Sequence, residues 1–150
     1  MAAPDGAPVA WLLRRIGHKK LQRIPGPDLM WDLCRACADE GVSIYLYGGT
    51  ESALALLEAA IRRSFPTLRI AGKESPPFRP LTADEDSAAI ARINASGAGV
   101  LFVGLGCPRQ EQWMYGHHGH VRCVMLGVGA AFDFHAGTLR RAPPWMQARM

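Results

Sequence analysis

Val100-Leu-Phe-Val-Gly-Leu-Gly-Cys-Pro-Arg-Gln-Glu-Gln-Trp113 is the stretch of sequence that decides the fold. Its first four residues are apolar and predict a buried strand. Gly104 and Gly106 predict a tight turn after it, and Pro108 suits a first helical turn, where no backbone N–H is required. A strand that passes through a glycine turn into a helix directs backbone amides and a positive helix end at an anionic ligand. The segment therefore predicts a site for a phosphate group.

This turn differs from the two common phosphate-binding fingerprints. A dinucleotide-type G-x-G-x-x-G needs glycine where Arg109 stands, and no G-K-[ST] follows that would make a P-loop. The residues after the glycines are therefore taken as candidate ligand contacts in their own right: Cys107, Pro108, Arg109, Gln110 and Glu111.

The composition is that of a globular protein. The 150 residues suit a single domain, 1–150, with a hydrophobic core, since 49% are hydrophobic and 20% charged. The net charge of +4 fits an acidic ligand or an anionic membrane surface. The chain has no apolar run near the ~20 residues that span a bilayer and no evident signal peptide, so a cytoplasmic protein is expected.

Predicted helices and strands alternate along the chain. The predicted strands are 43–47, 68–71, 100–103 and 121–126, and the predicted helices are 8–16, 29–39, 51–63, 83–95 and 108–115. Asp28 and Thr50 are predicted N-caps, and Thr82 with Glu85 a capping box. Residues 73–81 are a predicted proline-rich loop, and 130–150 a loop with a basic tail. The alternation predicts an α/β fold with a mostly parallel sheet and flanking helices, similar to a Rossmann fold.

Three of the predicted strands end in glycine turns. They are Gly48-Gly49, Gly104-Leu-Gly106 and Gly127-Val-Gly129. Ligands of open α/β sheets bind outside the carboxyl ends of the strands, so three such turns favour one shared nucleotide-type cleft. Glycines that merely end strands are the alternative.

The cysteines have a structural and a chemical interpretation. Cys34 and Cys37 form a C-x-x-C, which metal or redox sites also use. Their spacing places both on an apolar helix face, and no second pair accompanies them, so packing is favoured.

The acidic and histidine clusters also have both a structural and a chemical interpretation. Asp84-Glu-Asp86 matches a D-x-D metal motif but falls in the first turn of a capped helix, which favours a structural role. His117, His118 and His120 are interpreted as a solvated loop with no acidic residue close by. No metal site is predicted. Asp133 lies between two phenylalanines past the third glycine turn and is a candidate partly desolvated carboxylate or loop cap.

Two basic segments lie near the ends of the sequence. One runs from Arg14 to Arg23, and the other contains Arg140, Arg141, Trp145 and Arg149. Either fits a diphosphate or an anionic membrane surface, with a solvated face as the alternative. Nucleic acid is not favoured, because no recognised binding motif accompanies these charges.

The motifs together resemble a known family, the WecG/TagA/CpsF glycosyltransferases, also called glycosyltransferase family 26. The resemblance covers nearly the whole chain, in the family's order. The matching segments are Pro4-Asp-Gly6, Gly26-Pro-Asp-Leu-Met30, Tyr47-Gly-Gly49, Gly104-Leu-Gly-Cys-Pro-Arg-Gln-Glu111, Gly127-Val-Gly-Ala-Ala-Phe-Asp-Phe134, Ala136-Gly137, Arg141-Ala-Pro143 and Trp145-Met-Gln147.

The resemblance implies an inverting, membrane-associated enzyme that needs no metal or other cofactor. Such enzymes transfer a sugar, often of the N-acetylmannosamine type, from a UDP-sugar to a sugar on a polyprenyl diphosphate. Their products enter teichoic acid, enterobacterial common antigen or exopolysaccharide. Carried over to this chain, Asp5 is the catalytic base and Gln110 lines the donor site. Arg109 and Arg141 are candidates to stabilise the leaving UDP.

Compared with the family pattern, the chain is expected to lack the usual N-terminal strands and the C-terminal appendage. A truncated, inactive nucleotide-sugar-binding or interaction module is therefore the alternative to an active enzyme. A nicotinamide oxidoreductase is disfavoured by Arg109. The sequence leaves the donor sugar, the acceptor lipid and the oligomeric state open, a homo-oligomer included. A peripheral position on the inner face of the plasma membrane is expected.

Overall fold

The computed structural model of the chain describes residue 15 and residues 25–137. The described strands are β1 (Ile44–Gly48), β2 (Ile70–Glu74), β3 (Val100–Gly104) and β4 (Val124–Gly127). The described helices are α1 (Gly26–Asp39), α2 (Glu51–Ser64), α3 (Ala83–Ala95), α4 (Arg109–Gly116) and α5 (Ala131–Ala136). The predicted helix 8–16, the two basic segments, Asp5 and Arg141 lie outside the residues described in full.

The four described strands form one parallel sheet in the order β2-β1-β3-β4. Parallel strands need crossover helices, and the alternation of helix and strand supplies them. The predicted α/β class with a parallel sheet is therefore confirmed. Because β1, β3 and β4 are neighbours, their carboxyl ends meet at one edge of the sheet.

Each face of the sheet packs against its own set of helices. Ile44, Leu46 and Phe102 share a core with α1, α2 and α5. Tyr45, Tyr47, Leu101 and Val103 share a second core with α3 and α4. Successive strand residues point to opposite faces, so a strand buried on both sides reads as a continuous apolar run. This is why 100–103 shows no polar alternation.

The predicted caps of two helices are confirmed. The Thr50 hydroxyl accepts a hydrogen bond from the Ala53 amide at the start of α2. Thr82 and Glu85 form a reciprocal capping box at the start of α3. Asp28, in contrast, is not a cap, because α1 begins earlier, after Pro25. Helix α1 accommodates Pro27 in its first turn, because the amides of that turn need no hydrogen-bond partner within the helix.

Two predicted strands begin later than expected. β2 starts at Ile70, because buried Leu68 fills the core from a turn before the strand. β4 starts at Val124, because the amides of Val121 and Arg122 are already bonded to the His117 carbonyl and the Asn94 side chain. Periodicity located the apolar residues correctly but could not show which amides were available to the sheet.

Residues 131–136 are a helix, which corrects the prediction of a loop from residue 130. α5 is only six residues long and ends at Gly137, which has the left-handed conformation typical of a residue that stops a helix. Six residues are too few for an apolar period to be recognised in the sequence. The helix matters because its Phe132 is buried against the strand ends.

Glycine is required where the tips of β1 and β3 meet. A Cβ on Gly48 would lie 2.5 Å from the Gly104 carbonyl carbon, and a Cβ on Gly104 would lie 2.6 Å from the Phe132 ring. Both distances are below any normal contact. The two glycines therefore allow strands β1 and β3 and helix α5 to approach one another at the edge that forms the cleft described below.

We expect Gly104→Ala to lower the free energy of unfolding by about 1–3 kcal/mol, because the added methyl group overpacks against Phe132. Gly116→Ala is the matched control, since a Cβ on Gly116 would contact nothing within 4 Å. Urea unfolding of both variants measures the effect. Equal stabilities for the two variants would contradict this account of the strand tips.

The C-x-x-C pair faces the core, as packing predicts. Cys34 and Cys37 are buried, whereas Cys107 is exposed. Burial, and then the neighbouring Cys37, raises the pKa of the Cys34 thiol to about 12. A thiol with so high a pKa is poorly nucleophilic at neutral pH.

A thiol reagent at pH 7.5 is therefore expected to modify Cys107 first in the native protein. Cys34 and Cys37 should react only after unfolding, and Cys107→Ser should remove the fast phase. The time course of labelling followed by peptide mass spectrometry measures this. Rapid native modification of Cys34 would show that the α1 face is open.

Candidate functional site

The three predicted glycine turns line one cleft at the carboxyl edge of the sheet. This strand-tip cleft has a volume of about 280 Å³. Its lining comprises Gly49, Thr50, Pro76, Pro77, Phe78, Gly104, Leu105, Gly106, Arg109, Gly129, Ala130 and Asp133. The expectation of one shared cleft is thereby confirmed, while the ligand of the cleft stays a prediction.

Six of the sequence-predicted site residues line the strand-tip cleft, and Asp5 and Arg141 lie outside the described residues. The six are Gly49, Gly104, Gly106, Arg109, Gly129 and Asp133. Gly48 and Gly127 are the final residues of β1 and β4 and serve close packing. Cys107, Pro108 and Glu111 are exposed at the start of α4 beside the cleft.

Gln110 is placed differently from the expectation that it lines the donor site. Its side chain is 6% exposed and is absent from the lining of the strand-tip cleft. Its Oε1 accepts a hydrogen bond of 3.0 Å from the Gly129 amide, and its Nε2 donates one of 2.7 Å to Glu111 Oε1. Gln110 therefore ties the start of α4 to the turn after β4 and fixes one wall of the cleft.

The prediction that the glycine turns offer unpaired amides is wrong at two positions. The Gly129 amide is bonded to Gln110, and the Gly49 amide donates to the Gly104 carbonyl over 3.1 Å. Both bonds hold neighbouring turns together. Each of these two amides already has a hydrogen-bond acceptor within the protein, so neither amide needs a phosphate as its partner.

Arg109 is the cationic side chain that the cleft offers to an anion. It is exposed, and its guanidinium forms no hydrogen bond or ion pair with any residue of the described part of the chain. It is also the first residue of α4, where the helix dipole is positive. An arginine fork can bind phosphate oxygens in bidentate fashion. The Arg109 side chain and the positive end of α4 therefore both favour an anionic group at the same place in the cleft.

The proline-rich loop also lines the cleft, although the sequence predicted no role for it in the site. The Ser75 hydroxyl donates a 2.6 Å hydrogen bond to the Gly49 carbonyl and so fastens this loop to the turn after β1. Phe78 is 81% exposed although it lines the cleft. The sequence feature that could have indicated this wall of the cleft is the group of three prolines and one aromatic residue in 76–80. An exposed aromatic ring in a cleft offers a surface on which a base can stack.

Asp133 reaches the cleft from the first turn of α5. It is half-buried, between buried Phe132 and partly buried Phe134. A carboxylate in such a position can accept hydrogen bonds from ligand hydroxyl groups.

His117 corrects the interpretation of the histidines as a solvated loop without acidic neighbours. His118 and His120 are exposed, but the side chain of His117 is only 13% exposed. Its Nε2 lies 2.7 Å from Asp86 Oδ2, and its Nδ1 lies 2.6 Å from the Trp113 carbonyl oxygen. The sequence separation of 31 residues hid the Asp86 contact.

The acidic run 84–86 lies in the first turn of α3, as its structural interpretation predicted. Asp86 accepts hydrogen bonds from the His117 ring and from Trp113 Nε1. Hydrogen bonds from Arg79, and then from the Thr82 amide, lower the pKa of Glu85 to about 2. Both carboxylates are thus engaged by protein donors. Among the described residues no three histidine, cysteine, aspartate or glutamate side chains gather as a metal-ion site would require.

Comparison with curated proteins identifies a relative of known activity. The chain is 31% identical over 146 residues to an N-acetylglucosaminyldiphosphoundecaprenol N-acetyl-beta-D-mannosaminyltransferase of Bacillus subtilis (strain 168). The match covers 95% of this chain and 54% of that relative, so the chain spans about half the relative's length. None of the helices in the described part of the chain has the length and hydropathy to cross a membrane.

A family model also matches this chain over almost its full sequence. The model of the glycosyl transferase WecG/TagA/CpsF family matches residues 1–149. This match includes every candidate site residue from Asp5 to Arg141. The chain therefore belongs to the WecG/TagA/CpsF glycosyl transferase family.

Proposed function

We propose that this chain is a glycosyltransferase of the N-acetylmannosaminyl type, which transfers the sugar of a UDP-sugar to an amino sugar on a polyprenyl diphosphate. The observation that carries the proposal is the strand-tip cleft of a member of this family. Three glycine turns converge there with Arg109, which has no partner among the described residues. The relative's name supports both the transferred sugar and the acceptor class. The mildly basic chain is proposed to work at the membrane surface, where such an acceptor is held.

The cleft is proposed to bind the UDP part of the donor. Arg109 and the positive end of α4 would hold the diphosphate, Phe78 would stack on the base and Asp133 would accept hydrogen bonds from ribose hydroxyls. What supports the assignment is that an anion-binding, a stacking and a hydroxyl-binding group line one cavity. A nucleoside diphosphate presents the corresponding three groups.

The transfer is proposed to invert the anomeric centre in a single displacement. The acceptor hydroxyl oxygen forms a bond to the anomeric carbon as the bond from that carbon to the UDP oxygen breaks. Asp5 takes the proton of the attacking hydroxyl as general base. UDP departs with the bonding electron pair, and its added negative charge is stabilised by Arg109, with Arg141 as a second proposed cation.

The proposal assigns this stabilisation to cationic side chains and not to a metal ion. Its support is that Asp86, one of the two aspartates of the D-x-D-like run, accepts hydrogen bonds from Trp113 and His117. Glu85, between the two aspartates, accepts hydrogen bonds from Arg79 and the Thr82 amide. Binding a metal there would require these bonds to break. Asp5 and Arg141 enter the proposal through the family match alone.

We expect Arg109→Ala to weaken UDP binding about tenfold, because it removes a charge-assisted contact worth roughly 1.5 kcal/mol. Arg63→Ala is the matched control. Arg63 is an exposed arginine near the end of α2, opposite to the Thr50 end that lines the cleft. Calorimetric titration with UDP, and with NAD as a ligand of a different class, measures both variants. An unchanged UDP dissociation constant for Arg109→Ala would remove this residue from the donor site.

Asp5→Asn is expected to lower transfer at least about a hundredfold while leaving UDP affinity nearly unchanged, because only the proton acceptor is lost. The assay follows UDP release from UDP-N-acetylmannosamine with a short-chain lipid diphosphate N-acetylglucosamine as acceptor, in the presence of EDTA. Full turnover by Asp5→Asn would exclude its role as base. UDP binding by the wild-type chain without turnover would favour a non-catalytic nucleotide-binding module.

A further inference from the structure

A second cavity adjoins the strand-tip cleft. This side cavity has a volume of about 510 Å³, within the range of small-molecule sites. It shares Pro76, Pro77, Leu105 and Arg109 with the strand-tip cleft. Its remaining lining comes from β1, the proline-rich loop, α3 and α4, namely Tyr47, Arg79, Pro80, Leu81, Thr82, Ala83, Asp86, Gln112, Trp113 and His117. A single ligand that passes Arg109 can therefore occupy both cavities.

The charged groups of the side cavity are satisfied by the protein, with one exception. Arg79 binds the Glu85 carboxylate through two hydrogen bonds of 2.6 and 2.7 Å. Asp86 accepts hydrogen bonds from Trp113 and His117. Within the part of the chain that the structure describes, Arg109 alone among these charges has no partner, and it lies where the two cavities join. The cavity beyond this junction is thus suited to a neutral group.

The surface of the side cavity combines aromatic and apolar faces with hydrogen-bonding groups. Trp113 packs on Tyr47 with ring centroids 4.8 Å apart and on His117 with centroids 4.3 Å apart. The Tyr47 hydroxyl is buried and has no hydrogen-bond partner among the described residues. An unpartnered buried hydroxyl is costly, so a polar atom of a ligand would be well placed to satisfy it.

We propose that the side cavity binds a neutral ring that is joined to a phosphate group held by Arg109. The proposal rests on the proposed function, because it uses the same arginine and the same ligand class. Apolar walls with polar groups at the edge suit a ring that has an apolar face and hydrogen-bonding substituents. Two ligand parts share this chemistry: the sugar of the donor and the sugar of the acceptor. The nucleoside of the donor is already assigned to the strand-tip cleft, whose lining contains Phe78 and Asp133.

The proposal can be tested by a substitution that places a large side chain in the side cavity from an exposed residue. Ala83 lies at the start of α3 and lines the side cavity but not the strand-tip cleft. Ala91 is an exposed alanine of the same helix that lines neither cavity. Ala83→Trp and Ala91→Trp thus add the same bulk to one helix, inside and outside the cavity. Thermal unfolding of both variants verifies that each is folded.

Binding is measured with inorganic pyrophosphate, UDP, UDP-N-acetylmannosamine and a short-chain lipid diphosphate N-acetylglucosamine. We expect Ala83→Trp to weaken UDP-N-acetylmannosamine or the lipid ligand about tenfold or more, and pyrophosphate and UDP less than about twofold. Loss that begins with UDP would place the nucleoside in the side cavity and would contradict its assignment to the strand-tip cleft. Loss for UDP-N-acetylmannosamine alone identifies the donor sugar, and loss for the lipid alone identifies the acceptor sugar.

Two results would overturn the proposal. One is that Ala83→Trp binds every ligand as Ala91→Trp does, and the other is that it loses pyrophosphate to the same extent as the ring-bearing ligands. Failure of the wild-type protein to bind any of the four ligands would instead overturn the proposed function, and this inference with it.

Tyr47→Phe tests the same site without adding bulk. The substitution removes only the unpartnered hydroxyl, so the free energy of unfolding should not fall. The ligand that Ala83→Trp weakens should bind about threefold or more weakly to Tyr47→Phe. Unchanged affinity together with lower stability would show that the hydroxyl serves the fold and would contradict its assignment to a ligand.

Discussion

The close approach of the tips of β1 and β3 is the constraint on which the candidate site depends. Gly48 lies against the Gly104 backbone, and Gly104 lies against the ring of Phe132. A side chain at either glycine would separate a strand from its neighbour or from α5. The strand-tip cleft needs all three turns at one edge, and this edge exists only because its packing is as tight as that of the core. The glycines that resemble a ligand-binding motif therefore first serve the fold.

Gln110 extends this constraint to β4. Its buried amide group bonds the Gly129 amide, and a Cβ on Gly127 would lie 3.0 Å from its Nε2. The start of α4 and the turn after β4 are thus held as one unit. Because Arg109 precedes Gln110 in the chain, the same bond fixes where α4 begins and where Arg109 emerges. Gln110, which the sequence predicts as a ligand contact, can therefore affect ligand binding by fixing the position of Arg109.

The sequence predicted the architecture well because burial on both faces of a parallel sheet leaves long apolar runs, of which 100–103 is the clearest. It also predicted the caps at Thr50 and Thr82, since capping depends on residues only three apart. It did not predict the pairing of His117 with Asp86, the occupied amide of Gly129 or the position of Phe78 in the cleft. These contacts join segments that are distant in the chain, and no local period or spacing encodes them. α5 was missed because six residues give no period.

Pairing distinguishes the charged residues that maintain this fold from those that are left for a ligand. Asp86, Glu85 and Arg79 look functional in the sequence or line the side cavity, yet each is engaged by a protein partner. Breaking the partly buried pair of Asp86 and His117 would leave the Asp86 carboxylate without this partner, which opposes ligand binding at that position. Arg109 is the contrary case, since it stands at the junction of two cavities with no described partner. An exposed, unpaired cation at a helix start can bind an anion without first losing an existing bond. This is the physical reason to propose that Arg109, and not a metal ion on the acidic run, holds the diphosphate of the proposed donor.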